Sequence, residues 1–373
     1  MADRSLNASP DLFRGIAAQF PLRGEFRDAR RYGSGHINDT FVASFDRAGV
    51  PARYIFQRVN HRVFKNVPQL MDNISRVTRH LAGAANGDER RVLTLIPTIE
   101  DKSFHETPEG EFWRVYLFIE RARTYDQVVH PRQAFEAARA FGKFQQALAD
   151  LPGARLYENI PHFHDTPRRL EALHSAVAAD AAGRKKEVLA ELDFAFLREA
   201  EAGRLLDLAR AGDIPERITH NDTKLNNVMF DEATGEGICV IDLDTVMPGL
   251  SLFDFGDLVR FAANTGAEDE ADLAKVDVAL PVFEAIVQGY IAGAGAILAN
   301  AEWDNLVFAA RLITYEIGIR FLTDYLDGDE YFKIKYPEHN LVRARNQFRL
   351  VDRIEAAAGA MDAIVRRQRP CSL

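Results

Sequence analysis

The stretch RITHNDTKLNNVMFDEATGEGICVIDLD, residues 217–244, constrains this chain most. His220, Asn221, Asp222, Lys224, Asn226 and Asn227 crowd polar groups between the apolar Ile218 and the apolar run Val228, Met229, Phe230. β-Branched and aromatic residues flank that polar loop, and a Gly-containing turn, EATGEG, follows it, so the spacing predicts a loop feeding a hairpin. The second strand, ICVIDLD, delivers Asp242 and Asp244 at its end. Asp242 lies 20 positions beyond Asp222, and a hairpin returns the two to one edge. Two carboxylates and Asn227 at a loop edge suit Mg²⁺, which takes few protein oxygens and completes its shell with phosphates. Phosphoryl transfer asks for a carboxylate at the acceptor hydroxyl, a metal held by Asp and Asn, and a nearby cation. Asp222, Asn227 with Asp242, and Lys224 supply those groups.

At 373 residues the chain is long enough for two lobes. Before about residue 120, HINDTFVASF, ARYIFQRVN and FWRVYLFIE read as strands, and VPQLMDNISRVTRHLAG as one amphipathic helix. Beyond residue 120 the patterning is helical, beginning with PRQAFEAARAFGKFQQALADLPG and ending with LVRARNQFRLVDRIEAAAGAMDAIVRRQ. The expected fold is therefore α+β and bilobal: residues 1–120 as an antiparallel sheet with one helix, residues 121–373 as a mainly helical lobe. A net charge of −9 argues against a nucleic-acid partner. With two cysteines, Cys239 and Cys371, no disulfide framework is expected. The N-terminus lacks a signal-peptide pattern, and the apolar stretch 278–299 is broken by Pro281, Glu284 and Gln288, so a cytoplasmic protein without membrane contact is expected. No heptad seam demands an oligomer, which leaves a monomer as the expectation.

His220, Asp222, Lys224 and Asn227 resemble the catalytic loop of the protein-kinase-like fold. Asn221 stands where protein kinases carry Arg, and Asp242 sits in VIDLD instead of Asp-Phe-Gly; both departures resemble the aminoglycoside phosphotransferase-like branch. The triplet Asp254-Phe255-Gly256 lies too far downstream to be the metal motif, and Asp254 is expected to cap a helix. GSGHINDTF, FQRVNHRVFKNVPQLMDNI, IDLDTVMPG and GIRFLTDYLDGDEYFKIKYPEHNLVR further resemble the N-acetylhexosamine 1-kinases.

That resemblance implies ATP and Mg²⁺ as cofactors and an N-acetylated hexose, N-acetylglucosamine or N-acetylgalactosamine, as acceptor. It implies Asp222 as base and Lys224 as phosphate cation. Asn227 and Asp242 would be metal ligands, and Asp244 either a second-metal ligand or a strand-end cap. Gly33, Ser34 and Gly35 would cover the phosphates, and Glu120 and Arg121 would present backbone to the adenine. His36 and Asn38 would face sugar or phosphate or serve only the hairpin, and Arg320, Tyr331 and Phe261 would line the acceptor. The usual small-lobe Lys is absent; Arg58 is the nearest substitute, with Gln57 the alternative in a shifted register. Glu316, four residues before Arg320, is a competing partner for it. Other acceptors within the branch (choline, homoserine, a thio-sugar, another hexose, an aminoglycoside) and a catalytically dead nucleotide-binding scaffold stand as alternatives.

Overall fold

A computed structural model describes residues 9–33, 37–84 and 87–369. In chain order these are α1 (Pro10–Ala17), β1 (Glu25–Arg31), β2 (Asp39–Arg47), β3 (Val50–Val59), α2 (Val67–Ala84), β4 (Leu95–Ile96), β5 (His105–Glu106), β6 (Phe112–Leu117) and β7 (Ala122–Arg123). They continue with α3 (Pro131–Ala147), α4 (Thr166–Ala179), α5 (Leu189–Phe196), α6 (Arg204–Ala211), β8 (Arg217–Thr219), β9 (Val228–Asp231), β10 (Gly237–Val240) and β11 (Met247–Gly249). The remainder is helical: α7 (Ser251–Ala262), α8 (Leu280–Ala294), α9 (Asn300–Asp304), α10 (Leu306–Asp327) and α11 (His339–Gln368). This is the mixed architecture expected, an antiparallel sheet followed by a helical part. Among the described residues no helix is long and apolar enough to cross a membrane.

The chain divides into two compact units, the first made of the described part of Met1–Ala122 with Asp150–Ile160 and Ile238–Val246. Its sheet runs β1-β2-β3-β6-β4, with β5 also on β6 and every pair antiparallel. Alternation along β2, β3 and β6 sends Phe41, Ala43, Phe45, Tyr54, Phe56, Trp113 and Val115 into one core, which α1 closes with Phe13 and Ile16. Asn73 on α2, fully buried, explains why two later segments belong to this unit. Its side-chain amide donates to the carbonyls of Tyr157 (2.8 Å) and Val246 (3.2 Å) and accepts from the Tyr157 N–H (3.0 Å).

The second unit comprises Arg123–Ala149, Pro161–Gly237 and Met247–Leu373. α3 and α8 meet along glycines: a Cβ on Gly142 would fall 2.8 Å from the Tyr290 carbonyl, and one on Gly293 would fall 2.5 Å from that of Arg139. Any larger residue would force the helices apart. α7 is buried over almost its whole length, and β8 pairs with β11 through Thr219 and Met247, so the chain enters the polar loop from a fixed strand.

Candidate active site

The loop after β8 is held from below by α7. Asp254 is not a cap, since α7 begins at Ser251 after Leu250. Its carboxylate accepts the backbone N–H of His220 (2.9 Å) and of Asn221 (2.7 Å) and the Gln145 amide (2.5 Å). One turn on, Asp257 accepts the Thr223 N–H at 2.9 Å, while the Thr223 hydroxyl donates to the Asp254 carbonyl at 2.6 Å. These acceptors replace the ladder partners that the loop gave up on leaving β8. Burial pushes the Asp254 carboxyl up, against the lowering effect of His220 and of the N–H groups it accepts. His220 packs edge-on against Phe141 and Phe144, and its Nδ1 accepts the Asp222 N–H at 3.3 Å, a structural role.

Asn221 adopts φ 64°, a left-handed conformation that Asn tolerates better than most residues. The turn it makes presents Asp222. The Lys224 ammonium lies 2.6 Å from Asp222 Oδ1, and the Asn227 amide donates to the Asp222 carbonyl (2.8 Å) and to Oδ2 (3.1 Å). Burial alone would raise the Asp222 carboxyl; Lys224, followed by His220 and Asn227, outweighs it and holds the carboxyl below its ordinary value. The Lys224 ammonium is raised: burial opposes its charge, but Asp222, Asp257 and Glu268 favour it more. With its NH₂ committed to Asp222, Asn227 is left with Oδ1, a hard oxygen.

In the first unit, Asp242 has φ 59° and opens a short 3-10 turn that carries Asp244. Asp244 is buried, and both of its oxygens are engaged. Arg114 on β6 donates to Oδ1 at 2.5 Å and Asn38 donates to Oδ2 at 2.5 Å. Arg114 also donates to Gln57 at 3.0 Å. Burial works against its charge, yet Asp244, Tyr116 and Asp242 together raise its pKa. Sequence reasoning missed Arg114, and no local pattern marks it.

Arg58, the expected phosphate cation, is bound by two carboxylates, Asp39 at 2.5 Å and Glu111 at 2.6 Å. Gln57 faces Arg114 and Thr40 on the opposite side of β3. Gly33 has φ 77° with open space where a Cβ would stand, whereas Ser34, Gly35 and His36 lie outside the described residues. The carbonyls of Glu120 and Arg121 each accept from Arg90 at 3.1 Å, and the Glu120 carboxylate pairs with Arg53.

In the second unit, Glu316 does not pair with Arg320; its oxygens go to His164 (2.9 Å) and the Thr166 hydroxyl (2.7 Å). His164 also approaches the Asn221 carbonyl at 3.3 Å. Arg320 instead lies among the rings of Phe163, Tyr331 and Phe332, with centroids 5.3, 5.9 and 5.5 Å from its guanidinium carbon. Asp324 fixes the backbone there by accepting the N–H groups of Tyr331 (2.7 Å) and Phe332 (2.9 Å). Phe261 stands apart from that cluster, in the wall of a separate cavity with Glu268 and Gln347. The sequence held one overlooked clue to the loop's support: Asp254 and Asp257 are acidic residues inside the apolar run LSLFDFGDLVRFA.

The family model described as phosphotransferase enzyme family matches residues 28–286, well over half of the chain and spanning the Asp222 loop, Asp242 and α7. The chain belongs to the phosphotransferase enzyme family. This phosphotransferase shares its fold with an aminoglycoside phosphotransferase from Alicyclobacillus acidocaldarius, with TM-score 0.62 and 12% identity over 95% of this chain and 96% of that one. A choline kinase from Cryptosporidium parvum matches with TM-score 0.56 and 16% identity, over 96% and 99% of the two chains. A spectinomycin phosphotransferase solved with ADP and spectinomycin gives TM-score 0.55 and 15% identity, over 94% and 98%. At these identities the likeness establishes fold, while acceptor choice lies in the residues around the loop.

Proposed function

We propose that the protein is an ATP-dependent kinase that phosphorylates the anomeric hydroxyl of an N-acetylhexosamine. The acceptor assignment is carried by the setting of Arg320. Its guanidinium has no carboxylate within ion-pair distance among the described residues and lies among three aromatic rings. Arg169 is close enough that its own pKa is lowered, by burial first and by Arg320 second. An ammonium-bearing acceptor such as choline or an aminoglycoside meets repulsion there. A neutral sugar finds forked donors for its hydroxyl oxygens and apolar rings for its C–H faces.

Asp222 is the group that orients the acceptor hydroxyl. As the oxygen–phosphorus bond forms and the bond to the leaving diphosphate breaks, the hydroxyl proton passes to the Asp222 carboxylate. A carboxyl held below its ordinary value is a weak base, which is adequate where the transition state is loose and the proton moves late. Lys224 is the cation for the charge developing on the transferred group. The donor set fits Mg²⁺ better than a metal caged by protein alone. Asn227 Oδ1 and the Asp242 carboxylate are hard oxygens of the kind Mg²⁺ takes before phosphates complete its shell, whereas the Asp244 oxygens are taken by Arg114 and Asn38. When bound, Mg²⁺ would neutralise phosphate charge. The deciding experiment is ADP release with Mg²⁺·ATP and N-acetylglucosamine, N-acetylgalactosamine, glucose, choline or kanamycin, with phosphorus NMR of the product. An anomeric phosphate on the N-acetylated sugars is expected; turnover with choline or kanamycin alone would overturn the acceptor assignment.

A further inference from the structure

A cavity of about 190 Å³ opens in the second unit between Phe261, Asn264, Glu268, Gln347 and Asp126. A relay of hydrogen bonds ties it to the proposed base. The Thr223 N–H, next to Asp222, donates to Asp257 Oδ2 at 2.9 Å; Arg260 Nε donates to Asp257 Oδ1 at 2.9 Å; and Arg260 Nη1 donates to Glu268 Oε1 at 2.8 Å. Asp257 and Arg260 are buried, so the relay sets the distance between the loop and the Glu268 carboxylate. From the other side, Asn226 of the same loop donates to Asp126 at 3.3 Å.

Glu268 is one-third exposed, and its second oxygen has no hydrogen-bond partner among the described residues. Burial would raise this carboxyl, but Arg260 and Lys224 keep it below its ordinary value, so it is ionised at neutral pH. Gln347 lines the same cavity and is fixed by its neighbour. Asn346 gives its NH₂ to the carbonyls of Ala267 and Glu270, so its Oδ1 must accept, and the Gln347 NH₂ donates to it at 3.1 Å. That fixes the orientation of the Gln347 amide, whose Oε1 is buried out of reach of solvent. Phe261 supplies an apolar face in the same lining. The free Glu268 oxygen is therefore the acceptor this cavity presents, and the charges of Lys224 and Arg260 offset those of Asp257 and Glu268.

We propose that this cavity is a specificity subsite for a substituent of the acceptor, in which Glu268 receives a hydrogen bond from a hydroxyl or amide N–H of that substituent while its apolar part packs on Phe261. The proposal rests on the phosphotransferase reading of the Asp222 loop. Glu268→Gln tests it, because the amide keeps an oxygen for Arg260 and turns the free position from acceptor to donor. With wild-type protein, N-acetylglucosamine and its monodeoxy and N-methyl analogues, one analogue is expected to lose about 10- to 100-fold in kcat/KM, the range of a hydrogen bond to a charged group. In Glu268→Gln the parent sugar should fall to that level, the analogue should fall no further, and the ATP KM should stay within about twofold. Equal losses for every analogue, or an acceptor KM untouched by the substitution, would overturn the subsite while leaving the kinase standing. Should the wild-type protein use only another acceptor from the panel, the same cycle is run on that acceptor's analogues with the same criteria. A wild-type protein that releases no ADP with any acceptor removes the phosphotransferase reading and the subsite together.

Discussion

Two carboxylate–cation pairs of nearly equal length sit in very different surroundings. Lys224 lies 2.6 Å from Asp222 with side chains 35% and 27% exposed, and Arg114 lies 2.5 Å from Asp244 with side chains 1% and 4% exposed. A partly exposed pair can be opened by an arriving substrate at little cost, because water and ligand groups replace the lost contact. A fully buried pair cannot, since either charge left alone keeps its whole desolvation penalty. Contact distance therefore does not distinguish the two, and solvent access separates the pair proposed to meet substrate from the buried one.

The largest expected effect is on the proposed catalytic pair. Asp222→Asn should lower kcat by about 10²- to 10⁴-fold, the range for a general base, with nucleotide affinity measured by calorimetry unchanged. Near-normal turnover would remove Asp222 from the base role and with it half of the comparison. Stability should respond in the opposite order. Arg114→Met should destabilise the protein by about 3–5 kcal/mol in denaturant unfolding, whereas Lys224→Met should cost about 1 kcal/mol or less and act on kcat. Equal losses of stability would break the distinction.

The Asp222–Lys224 pair was legible in the sequence, and the Arg114–Asp244 pair was not. Asp222, Lys224 and Asn227 fall within six consecutive positions between apolar flanks, so local spacing alone reveals them. Arg114 and Asp244 are 130 positions apart and meet only through the sheet and the segment 238–246. The long helices and the aromatic strands followed from periodicity, whereas β1, EFRDARR, carries five charges and mostly exposed side chains, because it pairs on one side only. The helix α1 was overlooked despite Ser9 capping the Leu12 N–H and Pro10 at its start, since eight residues give periodicity little to act on.

A pH profile sharpens the comparison further. The Lys224 charge is the largest influence holding Asp222 below its ordinary value, against burial, which raises it. A carboxyl depressed in the folded state adds stability above its unfolded pKa, and that stability is lost as pH falls through the folded value. In Lys224→Met, burial is left unopposed by the ammonium, so the acidic limb of kcat/KM should move to higher pH. A limb in the wild-type position would mean that Asp222 does not titrate on it.

The smallest effect is expected at Arg58, which lies between the two extremes. It is 22% exposed and paired with both Asp39, which also takes Arg31, and Glu111, so its guanidinium is already engaged by two carboxylates. Arg58→Ala should therefore cost about 1 kcal/mol of stability, near the upper end for partly exposed pairs, and change the ATP KM by less than about threefold. Asp39→Asn supplies the control. If the carboxylates compete with phosphate for this guanidinium, removing one should tighten ATP binding; if Arg58 only braces β2 against β3, the ATP KM should stay where it was. A tenfold rise in ATP KM for Arg58→Ala, with stability intact, would place Arg58 beside Lys224 among the working cations and reduce the structural role in the first unit to Arg114.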